Sequence, residues 1–466
     1  MRSLALTLTV AVVFLPDAAP AANVTGQPPN ILLITADDLG NQLSCYGETR
    51  LETPRLDALA AGGVRFTRAY VTQSSCSSSR ASLLTGLFPH QNGQYGLAHL
   101  GFSMYPGQSN LVALLKAAGY RTGLIGKLHV APGTEFPFDW QPKKNGAVAT
   151  QKIRWVAEQS RDFFASAKES GQPFFYYVNY FDPHGPYSPD VRQIDGLPER
   201  PLDPAKIEPL PFNARTPEAA KRITAVFYDC VARVDIGVGM LLDELEEAGF
   251  TEDTLVIFLG DNGAPVQDGK TTSYELGVQV PLIIKWPDVA KAGQVRSELV
   301  SMIDVMPTIL TAVGAALPRR LAGRPLQPLL EGQPSPAWRE YLFTEMNFHT
   351  ANMYLPQRTV RDDRYKLLLN FQPQQDQDPV ELFDLRNDPA ETINVAENQA
   401  VAAARQRLES VLHAWREETG DPLLDPARRR RWSEAAERWK TSAPRLDRGP
   451  HPNSAKVPPG ELELLN

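Results

Sequence analysis

A thiol stands at the head of the stretch Ser74-Ser75-Cys76-Ser77-Ser78-Ser79-Arg80-Ala81-Ser82-Leu83-Leu84-Thr85-Gly86. Serines are natural helix N-caps and Gly86 a natural stop, so the pattern predicts a short helix with Cys76 at its start. Free backbone N–H groups point outward there, and an anion placed against them meets partial positive charge from the helix. Arg80 adds a full charge one turn on. The stretch reads as a nucleophile beside an anion cradle. On the loop alone, a buried cysteine among serines is an equal alternative.

Further clusters carry side chains that could share in such chemistry. Asp37 and Asp38 are adjacent carboxylates that repel each other, a cost that a divalent cation would remove. A turn with an N-cap aspartate explains them equally simply. Asp261-Asn262 lies between Gly260 and Gly263, and Lys270 follows downstream. Lys127 and His129, two apart in a segment read as extended, are expected to face the same side, although a surface loop would also hold them. His184 lies in Asp182-Pro183-His184-Gly185-Pro186.

The elements that must position these residues are legible from their apolar runs. Residues 30–35, 122–125, 174–179 and 254–259 have the length and continuity of buried parallel strands, and 280–284 is strand-like. Helical patterns lie between them, opened by Thr53-Pro54 and Thr216-Pro217 or carried by the stripe Ile153, Val156, Phe163, Phe164 and Ala167. The alternation predicts an α/β fold with a large, mostly parallel sheet flanked by helices. Asp37-Asp38, Lys127 with His129, His184 and Asp261-Asn262 each follow a strand, and ligands in such sheets bind beyond the strands' carboxyl ends. That shared address points to one site. Past residue 325, four short strands and a helix from about residue 399 to 415 predict a smaller C-terminal α+β domain. The proline-rich stretch from 421 onward, with Arg428 to Arg431, reads as an extended, solvated tail.

A chain of 466 residues is too long for one ordinary core. Its 47 basic and 54 acidic residues leave a net charge of −7, so no global basic field favours nucleic acid. Arg2, the apolar run Leu4 to Leu15 and Ala19-Pro20-Ala21 form a signal-peptide pattern, which predicts an exported protein, periplasmic, secreted or lysosomal according to host. No later run is long enough to span a membrane. With only Cys45, Cys76 and Cys230, a disulfide framework is excluded. The expected layout is a signal peptide over 1–21, a catalytic domain over 22–325, an antiparallel-sheet subdomain over 326–420 and the tail over 421–466.

The stretch at Cys76 resembles the signature of the sulfatase family, in which Cys-x-Pro-Ser-Arg leads to Leu-Thr-Gly. Cys76, Ser79, Arg80, Leu84, Thr85 and Gly86 match, and Ser78 stands where the family has proline. The other clusters occur in sulfatase order, and Glu381-Leu382-Phe383-Asp384-Leu385 with Asp388-Pro389 is similar to the family's C-terminal subdomain. Residues 76–87, His90-Gln91-Asn92-Gly93 and Phe136-Pro137-Phe138-Asp139 resemble the heparan N-sulfatase (sulfamidase) group in particular. The resemblance implies an alkaline-phosphatase-like fold and hydrolysis of sulfate from glycosaminoglycan sugars, first of all the N-sulfate of glucosamine in heparin or heparan sulfate. It implies that a maturation enzyme converts Cys76 to formylglycine, whose hydrate is the nucleophile. It further implies a calcium ion on Asp37, Asp38, Asp261, Asn262 and the modified Cys76. Arg80 would hold the aldehyde hydrate; Lys127, Lys270 and His129 would hold sulfate oxygens; His184 would act as general acid and His129 as base. An O-sulfatase, an inactive glycan-binding relative and a phosphonate hydrolase on the same fold are the competing readings. Partners beyond the sulfated saccharide and the maturation enzyme are left open, a homo-oligomer among them.

Overall fold

The computed structural model describes residues 28–187, 201–333, 338–372, 377–445 and 454–465. The segment read as a signal peptide lies outside them. A large sheet contains strands β1 (Asn30–Ala36), β2 (Val64–Tyr70), β3 (Arg121–Ile125), β4 (Phe174–Tyr180), β5 (Thr254–Gly260), β6 (Gln279–Lys285), β7 (Gln294–Arg296) and the two-residue β8 (Val300–Ser301). Its order is β3-β4-β1-β5-β6-β2-β7, with β8 beside β2. The block β3-β4-β1-β5 is parallel, β6 runs antiparallel to both its neighbours, and β7 and β8 run parallel to β2.

The continuous apolar runs follow from burial on both faces of this sheet. Along β1, Ile31 and Leu33 enter one core while Leu32, Ile34 and Ala36 enter the other; β4 and β5 divide their side chains in the same way. Helices cover both faces: α1 (Pro54–Ala61), α2 (Cys76–Thr85), α3 (Pro89–Asn92), α4 (Leu111–Ala117), α5 (Ile153–Ser170), α6 (Pro217–Glu247), α7 (Glu275–Val278), α8 (Val305–Ala312) and α9 (Gln327–Leu330). Side chains of α1, α5 and α6 fill one core, and those of α2, α4 and α8 fill the other. Thr216 caps α6 through Ala219 N, as the Thr-Pro pair predicts.

A second sheet, antiparallel in the order β12-β11-β10-β9, holds β9 (Leu342–Phe348), β10 (Tyr354–Arg361), β11 (Tyr365–Asn370) and β12 (Val380–Asp384). It is packed by α10 (Ala402–Thr419) through Leu408, Leu412 and Trp415. The tail is not extended as expected. Residues Pro426–Ser442 form α11, whose Trp432, Ala435, Ala436 and Trp439 lie in a core with Tyr95, Phe102 and Phe348. The proline and arginine content masked this apolar stripe, while Arg430 and Arg431 remain solvated. Among the described residues no helix is long and apolar enough to cross a membrane.

Candidate active site

Cys76 is the first residue of α2 and Ser75 its N-cap, with Gly86 closing the helix in the left-handed region at φ 65°. All ten residues of α2 are buried, which explains its serines, because buried hydroxyls must find partners. Ser77 Oγ accepts from Ala98 N at 2.9 Å, and Ser78 Oγ accepts from Gln73 Nε2 at 3.0 Å. Ser79 donates to the Asp261 carbonyl, and Thr72 donates to Ser82 Oγ at 2.7 Å. The helix is thus locked against the ends of the central strands.

The carboxyl ends of β1, β3, β4 and β5 bring the predicted clusters together. Asp38 turns back at φ 64°, and its N–H donates to Asp261 Oδ1 at 2.9 Å. Gly260 must be glycine, since a Cβ there would lie 1.9 Å from the Leu39 carbonyl oxygen that crosses it. Asp37, Asp38, Cys76 and Asp261 each offer a ligand atom within 4.8 Å of the others, all buried. Asn262 donates through Nδ2 to Asp38 Oδ1 at 2.9 Å, while its buried Oδ1 has no hydrogen-bond partner. An orphaned carbonyl oxygen beside three carboxylates is the donor set of a hard cation. Zinc would want several imidazole or thiolate ligands, and this group holds no histidine and a single thiol, that of Cys76.

Three cations face the three carboxylates. Arg80 Nε donates to Asp261 Oδ2 at 2.9 Å and Nη2 lies 3.3 Å from Asp37 Oδ1. Its remaining donors meet the Lys127 carbonyl at 3.0 Å, the Tyr177 hydroxyl at 3.3 Å and Asn179 Oδ1. Lys127 Nζ bonds both oxygens of Asp37, at 2.6 and 2.9 Å, and Lys270 Nζ bonds Asp38 Oδ1 at 2.6 Å. Against the cost of burial, Lys127 and Arg80 hold Asp37 well below the usual carboxylate range, and Lys270 and His184 hold Asp38 down. Burial, with Asp37 beside it, pushes Asp261 up instead. Burial also pushes the Cys76 thiol up to about 12.

His184 lies over the same pocket, its Nε2 3.8 Å from Asp38 Oδ2. Its Nδ1 must donate to the Gly185 carbonyl, 2.7 Å away, which turns Nε2 toward the site. Lys127 and His129 do not share an extended segment: Gly126 has φ 88° and His129 φ 54°. The chain turns here, and His129 Nε2 meets His99 Nδ1 at 2.6 Å while Lys127 meets Asp37. A cleft of about 610 Å³ opens above the cluster, bordered by Asp38, His184, Lys270, His349 and Ser454. His99 and His349 match no motif, so only proximity identifies them. In the stretch from Leu100 to Tyr105, Leu100, Phe102 and Met104 are buried, with Phe102 packed on Phe348. Cys45 and Cys230, neither of them in a disulfide, lie outside the site.

A family model described as Sulfatase matches residues 29–315, which carry every one of the predicted site residues. The chain belongs to the sulfatase family. A second model, described as N-sulphoglucosamine sulphohydrolase, C-terminal, matches residues 268–418 of this sulfatase. Over 467 residues it is 35% identical to N-sulphoglucosamine sulphohydrolase of Homo sapiens, the match covering 85% of this chain and 92% of that relative. The ulvan-active sulfatase of Formosa agariphila is 28% identical over 434 residues, covering 87% of this chain and 83% of the relative. A solved structure of a protein in complex with its substrate D-glucosamine-2-N,6-O-disulfate aligns with a TM-score of 0.70 at 21% identity. That alignment covers 85% of this chain and 99% of the other, and the likeness is one of fold.

Proposed function

We propose that this sulfatase removes the N-sulfate of glucosamine in heparin or heparan sulfate, as an exported enzyme matured at Cys76. The observation that carries the reading is the match to human N-sulphoglucosamine sulphohydrolase, which spans both the catalytic residues and the C-terminal sheet. The charge inventory supports an anionic substrate. Arg80, Lys127 and Lys270 balance Asp37, Asp38 and Asp261, so a divalent cation on the carboxylates leaves about two positive charges over. A sulfate group gathering charge on its oxygens is the complement to that surplus.

Calcium suits the donor set, and would be held by Asp37, Asp38, Asp261 and Asn262 through its orphaned Oδ1. When bound it would polarise a sulfate oxygen and release Lys127 and Lys270 from their carboxylates. Formylglycine at Cys76, buried at the head of α2 beside the carboxylates, would supply through its hydrate a hydroxyl aimed at sulfur. Arg80, fixed by six side-chain and backbone partners, orients whatever stands at residue 76. Lys127 and Lys270 hold the sulfate oxygens. His184 presents Nε2 and delivers a proton to the leaving amine, which departs well only when protonated. His129 then takes the proton of the hydrate's second hydroxyl, so that the aldehyde re-forms as its C–O bond to the sulfate breaks and sulfate leaves.

The test is free sulfate release from N-sulfoglucosamine beside its 6-O-sulfated isomer, with the mass of the Cys76 peptide measured on the same preparation. Turnover of the N-sulfate by formylglycine-bearing protein is expected. Turnover of the O-sulfate alone would reassign the substrate, and an unmodified peptide with no turnover would make the chain a glycan-binding relative.

A further inference from the structure

The reading of His129 as base leaves unexplained what holds its ring. His129 sits in the left-handed region at φ 54°, uncommon for a residue with a Cβ and supported only when neighbours enforce it. The ring meets His99, whose Nδ1 lies 2.6 Å from His129 Nε2. The other ring nitrogen, Nδ1, is sealed from solvent and hydrogen-bonded to nothing. A buried nitrogen without a partner is costly, and a substrate or hydrate hydroxyl would recover that cost.

His99 is itself held by construction. It lies in a single helical turn, residues Ala98–Leu100, that is fastened from three directions. Ala98 N donates to Ser77 Oγ beside Cys76 at 2.9 Å, Leu97 N donates to the His349 carbonyl at 3.0 Å, and Val457 N donates to the Leu100 carbonyl at 2.8 Å. Its ring is therefore registered to the helix that carries the nucleophile.

We propose that His99 is a positioning residue that sets the tautomer of His129: its bare Nδ1 accepts the His129 Nε2 proton, so that His129 presents an unprotonated Nδ1 to the reaction centre. Which imidazole nitrogen carries the proton is decided by the hydrogen bond the other one makes. The surroundings keep the pair neutral. Burial lowers the basicity of His129, and Lys127 and Arg80 outweigh Asp37 beside it; the His99 ring is exposed, and Lys127, Lys456, His184 and Lys270 set an excess of positive charge around it. The inference rests on the role given to His129 above.

Three variants and one spectrum test it on the matured, full-length protein. His99→Ala is expected to lower kcat for N-sulfoglucosamine roughly 10–100-fold with KM within about twofold, the scale seen when a group that orients an active imidazole is lost. Its acid limb is expected to move to higher pH, because an unshielded His129 binds a proton more readily and a base must be free of it. His99→Asn places an amide oxygen near the Nδ1 position and should restore most of the rate. Equal loss in Ala and Asn variants, or a wild-type kcat in His99→Ala, would overturn the proposal. Full turnover by His129→Ala would instead remove the base assignment it rests on. Nitrogen-15 histidine spectra read the tautomer without turnover: His129 protonated at Nε2 in the wild type is expected, and a proton on Nδ1 refutes the inference.

Discussion

At the scale of single residues, Ser78 and Asp261 carry the clearest expectations. Ser79 N to Ser75 O is the first bond of α2, so the Ser78 N–H has no helical acceptor to lose. Ser78→Pro should therefore fold, at a cost of about 1 kcal/mol for the Gln73 hydrogen bond. Cys76 and the nine residues after it are buried, so an enzyme acting on this stretch meets it before the fold closes and reads sequence rather than shape. Restoring the family's proline should then raise the formylglycine fraction, measured as the mass of the Cys76 peptide; an unchanged fraction shows that serine is accepted equally. Asp261→Asn keeps the shape but removes one carboxylate from the cation site. It should lose turnover together with the rise in Tm on adding calcium, which for the wild type at about 100 times Kd corresponds to roughly 2.7 kcal/mol. A variant that retains the calcium-dependent shift would show that the ion binds elsewhere.

At the scale of elements, the small sheet is joined to its helices by buried charge. Arg358 on β10 donates to Asp421 through Nη2 at 2.7 Å and Nε at 3.1 Å, and Arg416 on α10 adds a third bond at 2.6 Å. Arg358 is fully buried, and Asp421 is held well below the usual carboxylate range against the cost of burial, chiefly by Arg358. Asp421→Asn leaves the buried guanidinium only Glu345, 4.0 Å from its Nε, as a counter-charge, a loss expected to be about 3 kcal/mol in urea unfolding. Since β9 leads into His349 at the cleft, the same variant should weaken substrate binding more than Asn or Ala changes on the exposed face of α10. Turnover and KM at wild-type values in a folded Asp421→Asn protein would show that the sheet does not brace the cleft.

At the scale of the whole molecule, folding free energy should carry a pH signature from Asp235. This carboxylate on α6 accepts the Leu56 N–H at 2.7 Å at the start of α1, yet burial pushes its pKa up to about 6. The folded protein thus binds its proton more tightly than the unfolded chain does. The contribution is fully present below about pH 4 and is lost as pH rises through about 6, on the order of 2 kcal/mol. Asp235→Asn keeps an oxygen for the Leu56 N–H and has no proton to lose. Its stability relative to wild type should therefore improve between pH 4.5 and 7; a constant difference across that range would show that Asp235 keeps an ordinary pKa in the fold.

Local pattern was enough for the site's framework. Continuous apolar runs mark strands buried on both faces, and a carboxylate, histidine or lysine directly after such a run must lie at the carboxyl edge of a parallel sheet. Asp37, Asp38, Lys127, His184, Asp261 and Asn262 were placed by that reasoning, and Cys76 by the capping serines of α2. Position along the chain cannot show which side chains cross from unrelated elements. His99 reaches His129 across 30 positions and His349 reaches Ser75 across 274, from a turn and a second sheet whose packing on the first is set by buried surface, not by any spacing. The turn at Gly126 and His129 was likewise decided in three dimensions, where a Cβ on Gly126 would lie 2.3 Å from the Asn179 carbonyl oxygen of the neighbouring strand. The same holds for α11, whose two tryptophans read as part of a solvated tail until Tyr95, Phe102 and Phe348 supply the apolar face that makes a helix there favourable.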